Sequence, residues 1–362
     1  MKITLKTEKL QEMVSRAVKG CSNDKGLPIT GFMSIELLEH RLTLATTNAS
    51  DYLFISEDKV EGEDFSVVVE AETFAKLVSK TTTENITLEL KGEELNVVGN
   101  GNYRIELPLD AEGQLVKFPR PLDDIDIKKV EHKYQVQLST IRTILTVNKP
   151  ALAPLSDAQI TPLYTAYYVG DSVVSTDSYK ICGTDVKLFD EPALINAPMM
   201  DLLDVMSEEN ITVYIDGNTI VFVTDDCIVY GKTQEGIEKY QIDAISGLLK
   251  LDFPSECSVS KSEILQALDR LNLFVGPYDK NGISLTFTKE GIVLSSLKSS
   301  GTELVPYKTS SNFKEFSACI NIEMLQTQIK SHVLDEIQIG YGLESALKIV
   351  DGNITQIIAY IE

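Results

Sequence analysis

The sequence predicts an α+β protein built from three tandem copies of one domain of about 120 residues. Three observations predict it: a strand pattern that recurs at a fixed period, a pair of amphipathic helices that recurs with it, and turn residues at matching places. The strand is Glu84-Asn85-Ile86-Thr87-Leu88-Glu89-Leu90. It is echoed 125 residues later by Glu209-Asn210-Ile211-Thr212-Val213-Tyr214-Ile215, and after another 126 by Asp335-Glu336-Ile337-Gln338-Ile339-Gly340-Tyr341. Each copy alternates apolar and polar positions, as a half-buried strand does.

Each copy opens with a short strand, ending near Leu5, Val136 and Val259, and a helix whose apolar stripe starts five residues on. The stripes are Leu10, Met13, Val14, Ala17 and Val18, then Ile141, Ile144 and Leu145, then Ile264, Ala267, Leu268 and Leu271. This spacing predicts helices over 7–20, 138–149 and 261–273. A second helix precedes each echoed strand, over 70–80 (Ala71, Phe74, Leu77, Val78), 197–209 (Met199, Leu202, Leu203, Met206) and 321–332 (Ile322, Leu325, Ile329). The chain then turns back into strands at Lys91-Gly92-Glu93, Asp216-Gly217-Asn218 and Asp351-Gly352-Asn353. Gly99-Asn100-Gly101-Asn102 reads as a hairpin and not a phosphate loop, because no helix follows it. Residues 117–133 carry Pro119, Pro121 and nine charged side chains, which suits a linker, and a second joint is expected near 244–256. The domains are therefore expected over 1–122, 123–248 and 249–362.

Composition limits the function. With 54 Asp and Glu against 33 Lys and Arg, the net charge is -21, which argues against a non-specific nucleic-acid coat or a peripheral membrane protein. A few basic residues gathered at one place remain compatible with a polyanion. The start, Met1-Lys2-Ile3-Thr4-Leu5, contains no apolar signal segment, and no run of 18 apolar residues occurs. Five widely spaced cysteines (Cys21, Cys182, Cys227, Cys257, Cys319) without a CxxC pair point to reduced thiols and a cytoplasmic location. His40, His132 and His332 are expected to be solvated, in a hairpin turn, the linker and a helix end. No metal spacing, nucleophile elbow or phosphate loop appears, so no cofactor or metal is expected and a non-enzyme is favoured. The six helices carry a net -1 over 75 residues, leaving -20 for the other 287. The first has Lys9, Arg16 and Lys19 against Glu8 and Glu12, and the third in chain order has Arg142 and Lys149 with no acid. Such a layer could admit a polyanion by one route, although amphipathic helices with acids in the loops would look the same.

Particular stretches, in order, carry a resemblance. They are Leu27-Pro28-Ile29, the strand Met33–Leu37, Leu42-Thr43-Leu44-Ala45-Thr46-Thr47-Asn48, Val174-Ser175-Thr176-Asp177-Ser178-Tyr179-Lys180, and Glu235-Gly236 through Tyr240. Over the whole chain their order and the repeat spacing resemble the bacterial sliding clamp family, the beta subunit of DNA polymerase III. The resemblance implies three clamp domains, with helices lining an inner face and antiparallel sheets outside. It implies a homodimeric ring around double-stranded DNA, read without regard to sequence, that tethers a polymerase subunit and a clamp loader through short linear peptides. It implies no chemistry, no cofactor and no membrane partner. The implied DNA-facing residues are Lys9, Arg16, Lys19, Lys25, Arg142 and Lys149. The implied peptide pocket is Leu163, Thr176, Ser178, Tyr179, Lys180, Ile181, Ile242, Ile358 and Tyr360. The implied subunit joint sets Tyr103, Arg104 and Ile105 against Leu297 and Lys298.

The departures from the family are specific. Ser178-Tyr179-Lys180 replaces a usual Gly-His-Arg, and the end Tyr360-Ile361-Glu362 lacks the usual Met-Pro-Met tail. Ile160-Thr161-Pro162 lacks the aromatic and basic residues common there, and Asp24 beside Lys25 stands at a usually basic position. Leu297-Lys298-Ser299-Ser300-Gly301 has lost an acidic cluster, so the joint would rest on strand pairing and apolar packing. These differences imply a divergent member with its own peptide preference. The alternative is a clamp-like peptide-binding module that does not encircle DNA.

Overall fold

The computed structural model describes residues 1–298 and 300–361, so Ser299 and Glu362 of the stretches quoted above lie outside the described residues. The chain runs β1 (Lys2–Lys6), α1 (Thr7–Ala17), β2 (Phe32–Leu38), β3 (Arg41–Thr47), β4 (Tyr52–Glu57), β5 (Phe65–Glu70), α2 (Ala71–Ser79), β6 (Asn85–Lys91), β7 (Glu94–Val98) and β8 (Asn102–Glu106). The order returns as β9 (His132–Gln137), α3 (Leu138–Val147), β10 (Ala166–Val169), β11 (Val173–Thr176), β12 (Lys180–Thr184), β13 (Ala193–Asn196), α4 (Ala197–Leu203), β14 (Asn210–Asp216), β15 (Thr219–Val223) and β16 (Cys227–Lys232). After α5 (Ile242–Leu249) come β17 (Ser255–Ser260), α6 (Lys261–Leu271), β18 (Gly282–Phe287), β19 (Gly291–Ser296), β20 (Thr302–Pro306) and a short β21 (Thr309–Ser311). The chain closes with β22 (Phe316–Asn321), α7 (Ile322–Ser331), β23 (Glu336–Tyr341), β24 (Ala346–Asp351) and β25 (Ile354–Ala359).

The threefold repeat extends to single hydrogen bonds. The first residue of each opening helix donates its N–H to the residue just before the echoed strand: Thr7 to Glu84 at 3.0 Å, Leu138 to Glu209 at 2.8 Å and Lys261 to Asp335 at 2.8 Å. Each bond satisfies one N–H that a helix start leaves without a partner. The returning turns place Gly92, Gly217 and Gly352 at φ 61°, 58° and 60°, a left-handed conformation that glycine adopts without steric cost.

The chain forms two compact units, one of Met1–Ile141 with Pro198–Thr233 and one of Arg142–Ala197 with Gln234–Glu362. The first holds a four-stranded sheet, β1-β6-β7-β8, and an eight-stranded sheet, β5-β2-β3-β4-β16-β15-β14-β9. Helix α1 packs beside α2 and against β3 and β4. The second unit holds a nine-stranded sheet, β13-β10-β11-β12-β25-β24-β23-β17-β21, and a four-stranded sheet, β20-β19-β18-β22. There α6 packs beside α7 and against β19 and β20, over a core that includes Phe287 stacked on Tyr341 at 3.8 Å. Burying side chains of this size is worth about 1.5–3 kcal/mol each. The middle repeat divides between the units because β16 pairs with β4 while β12 pairs with β25.

Four expectations need correction. The helix over 197–209 ends at Leu203. The chain continues in tight turns, with Asp204, Val205 and Met206 each bonding three residues back, and the Val205 carbonyl accepts from Arg16 Nε at 3.0 Å. The joint near 244–256 contains an unexpected helix, α5, whose Ile242, Ile245 and Leu249 fall on one face despite Gly247. The expected 138–149 helix stops at Val147, and Lys149 opens a separate 3-10 turn, Lys149–Ala151, with Pro150 at its second position. His332 is not solvated but 3% exposed. Its Nε2 lies 2.7 Å from Gln356 Oε1, and its Nδ1 lies 3.2 Å from Asp351 Oδ2 without hydrogen-bond alignment.

Burial lowers the pKa of His332 below its usual 6.5; Gln356 and Asp351 oppose this and lose. The Asp351 carboxylate already accepts the N–H groups of Val333 and Leu334. A folded-state pKa below the unfolded one means that stability present above pH 6.5 is lost as pH falls through the folded value. Melting temperature is therefore expected to be level above pH 7 and to fall as pH drops below about 6.5. His332→Gln should flatten that slope in a calorimetric pH series.

Candidate functional site

The hairpin between β11 and β12 is held open by its own polar side chains. Asp177 Oδ1 accepts from the N–H groups of Tyr179 (2.8 Å) and Lys180 (2.7 Å), and Thr176 Oγ1 donates to the Lys180 carbonyl at 2.7 Å. Ser178 sits at φ 78°. Lys180 folds back onto Asp177 Oδ2 at 2.5 Å, which neutralises the rim and leaves Tyr179 standing out, 64% exposed. Beneath the rim lies an apolar floor of Ala166, Val174, Ile181, Leu194, Tyr240 and Ile245, with Leu163 and Ile242 packed against it half-buried. Tyr240 meets Tyr164 edge-on at 5.6 Å and stacks on Tyr168 at 5.4 Å. Its buried hydroxyl has no hydrogen-bond partner among the described residues, and burial pushes the phenol pKa up.

Of the predicted pocket, Leu163, Thr176, Ser178, Tyr179, Lys180, Ile181 and Ile242 come together here. Ile358 and Tyr360 do not. The pairing Ile181↔Ile357 puts Ile357 on the pocket side, and strand alternation turns Ile358 into the other core, against which Tyr360 also packs. Sequence reasoning missed Tyr168, Tyr240 and Ile245. Tyr240 and Ile245 belong to the Tyr240, Ile242, Ile245, Leu249 spacing that Gly247 interrupts, and Tyr168 on β10 carried no such signal.

The basic residues have different fates. Lys19 and Lys25 are exposed and make no ion pair among the described residues. Lys9 pairs with Glu57 at 2.9 Å and Glu12 at 3.4 Å, and the Glu57 bond holds its pKa above the usual value. Arg16 is committed to structure: its Nη1 donates to Asp226 Oδ2 at 2.6 Å. Burial would raise the Asp226 carboxyl pKa, yet the Arg16 bond holds it below the usual value. Arg142 and Lys149 are exposed. Burial pushes the Cys182, Cys227 and Cys257 thiols up to about 12, so they stay protonated and unreactive. Among the described residues, no group of three or more His, Cys, Asp or Glu is placed to hold a metal ion, and no helix is long and apolar enough to cross a membrane.

At the predicted joint, Tyr103 and Arg104 are exposed on β8, an edge strand, whereas Ile105 turns into its own core. Leu297 is exposed, and Lys298 pairs with Asp279 at 2.8 Å. Larger apolar groups nearby were not predicted. Leu273 is 80% and Phe274 50% exposed in the turn after α6, and Leu304 is exposed on β20, which also ends its sheet.

Residues 1–115 match the family described as DNA polymerase III beta subunit, N-terminal domain. The beta sliding clamp of Bacillus subtilis is 21% identical over 319 residues, covering 82% of this chain and 80% of that protein. Among solved structures, the Bacillus subtilis DNA polymerase sliding clamp superposes with a TM-score of 0.84 at 18% identity, over 100% of this chain and 99% of that one. The beta subunit from the DNA polymerase of Streptococcus pyogenes gives 0.86 at 15%, with both chains fully covered. The first 115 residues thus match the DNA polymerase III beta subunit N-terminal domain, and the chain as a whole has the fold of the sliding clamps it superposes on.

Proposed function

We propose that two copies of this chain join head to tail into a ring that encircles duplex DNA and tethers a polymerase, a clamp loader and other partners through short peptides. The ring acts by topology in the cytoplasm and performs no chemistry. One observation carries the reading. Strand β4 of the first repeat pairs with β16 of the second, and β12 of the second pairs with β25 of the third. By position in the repeat, β20 is the counterpart of β4 and β12, and β8 the counterpart of β16 and β25. Both β20 and β8 end their sheets unpaired. Pairing β20 of one copy with β8 of another repeats a joint the chain already makes twice and covers two exposed strand edges. The expected repeats, 1–122, 123–248 and 249–362, are those this joint unites.

In this reading the paired helices face DNA. Lys9, Arg16, Lys19, Lys25, Arg142 and Lys149 supply the positive charge. Contacts limited to phosphates hold the duplex without reading its bases, and the acidic remainder discourages DNA from binding outside. Arg142→Glu with Lys149→Glu is expected to weaken retention on DNA by about tenfold at moderate salt while the dimer stays intact by light scattering. Unchanged retention would remove both residues from the lining.

A module that binds peptides without encircling DNA is the second reading. It draws on the loop before β10, where Leu155 and Ile160 (82% exposed) stand out and residues 150–165 contain no Lys or Arg. A monomeric mass at micromolar concentration would favour it.

A further inference from the structure

The first repeat carries a counterpart of the peptide-pocket hairpin that differs in what covers the sheet beside it. The loop Thr47–Asp51 duplicates Thr176–Lys180 bond for bond. Asn48 Oδ1 accepts from Ser50 N–H (2.9 Å) and Asp51 N–H (2.7 Å), Thr47 Oγ1 donates to the Asp51 carbonyl at 2.7 Å, and Ala49 sits at φ 83°. This fixes the correspondence of the two sheets. The cross-strand row Val68, Ser34, Ala45, Phe54 of the first repeat matches Leu194, Tyr168, Val174, Gly183 of the second.

In the second repeat the connector roofs that row. Tyr240 stacks on Tyr168, and Leu249 presses so close to Gly183 that a Cβ there would lie 2.6 Å from its Cδ1. In the first repeat the connector crosses as an irregular strap, Leu115–Arg120, and leaves a cleft of about 460 Å³ over Ser34, Ala45, Phe54 and Val68. Phe118 braces the strap edge-on against Tyr52 at 6.3 Å, and Arg120 pairs with Glu36. That pairing neutralises the one acid in the lining. Lys117, also in the lining, is exposed and makes no ion pair among the described residues, so the mouth is cationic on a chain of net charge -21.

We propose that this cleft receives a short linear peptide from a partner protein, one that presents an aromatic and an aliphatic side chain beside an acidic residue. The chain itself shows which groups fill the equivalent row, a tyrosine and a leucine from one short segment, and Lys117 selects the acid. The site lies wholly within the first repeat, apart from the Leu163–Tyr179 pocket, and would give the protein a second class of peptide partner.

The test uses the full chain and a fluorescein-labelled synthetic peptide copying residues 237–250, which carries Tyr240, Asp243 and Leu249. Saturable binding is expected by fluorescence anisotropy. Ser34→Tyr, which installs the second repeat's own residue in the cleft, should weaken binding about tenfold. The surface change Lys117→Glu, which does not burden folding, should weaken it about threefold. Absence of saturable binding, or an affinity unchanged in both variants, would overturn the proposal. So would binding that Tyr179→Ala abolishes and Ser34→Tyr spares, which would put the peptide in the second-repeat pocket and leave the reading of that pocket standing.

Discussion

Leu273→Asp combined with Phe274→Asp is expected to reduce the protein from twice 40.1 kDa to a monomer of 40.1 kDa. The two side chains are 80% and 50% exposed in the isolated chain. A Cβ on Gly301, the residue before β20, would lie 3.3 Å from the Phe274 ring, so the pair flanks the open edge proposed to meet β8. Burying such side chains is worth about 1.5–3 kcal/mol each. A head-to-tail ring of two copies has two joints and so buries four of them. A nanomolar complex is worth about 12 kcal/mol in all, so this loss should raise Kd by more than about a thousandfold. Light scattering over a dilution series reads the result, and a retained cooperative melting transition of the variant would confirm that the chain still folds. A variant that stays dimeric would place the joint elsewhere.

Leu163→Asp is expected to abolish peptide capture while leaving the ring intact. Leu163 packs half-buried against the apolar floor that includes Ile181 and Ile245, where a carboxylate would be stranded next to apolar carbon. Central apolar anchors of this kind cost about 2–4 kcal/mol when lost, or about 30- to 1,000-fold in affinity. Tyr179→Ala should cost less, about tenfold, because Tyr179 stands on the rim. Both are measured by calorimetry with peptides selected by display on the unaltered protein. An unchanged affinity in Leu163→Asp would mean that the peptides bind at another site.

The repeat was legible because apolar spacing encodes burial directly: the 125- and 126-residue echoes mark strands that pair with β1, β9 and β17 in matching registers. Helix α5 was not, because Gly247 interrupts a short apolar pattern. The duplicated hairpin was invisible as well, since Asn48 and Asp177 use the same carbonyl-type oxygen while the surrounding letters differ. Long-range ion pairing was equally hidden. Arg16 reads as a free helical cation until Asp226, 210 residues away, is placed beside it. For Ile358 the information was present in the alternation of β25, but choosing between Ile357 and Ile358 required the register with β12. The exposure of Leu273 and Phe274 was hidden too, because sequence alone does not say where a helix stops.

The central claim, a ring closed by a third copy of the β4–β16 and β12–β25 joint, is tested most directly by retention on DNA of different topology. Protein assembled on a nicked circular plasmid and passed over a sizing column in moderate salt is expected to travel with the circle. It should be released when a single cut makes the plasmid linear. Equal retention on circle and line would mean ordinary surface binding, and no retention on the circle with its loader present would contradict the ring.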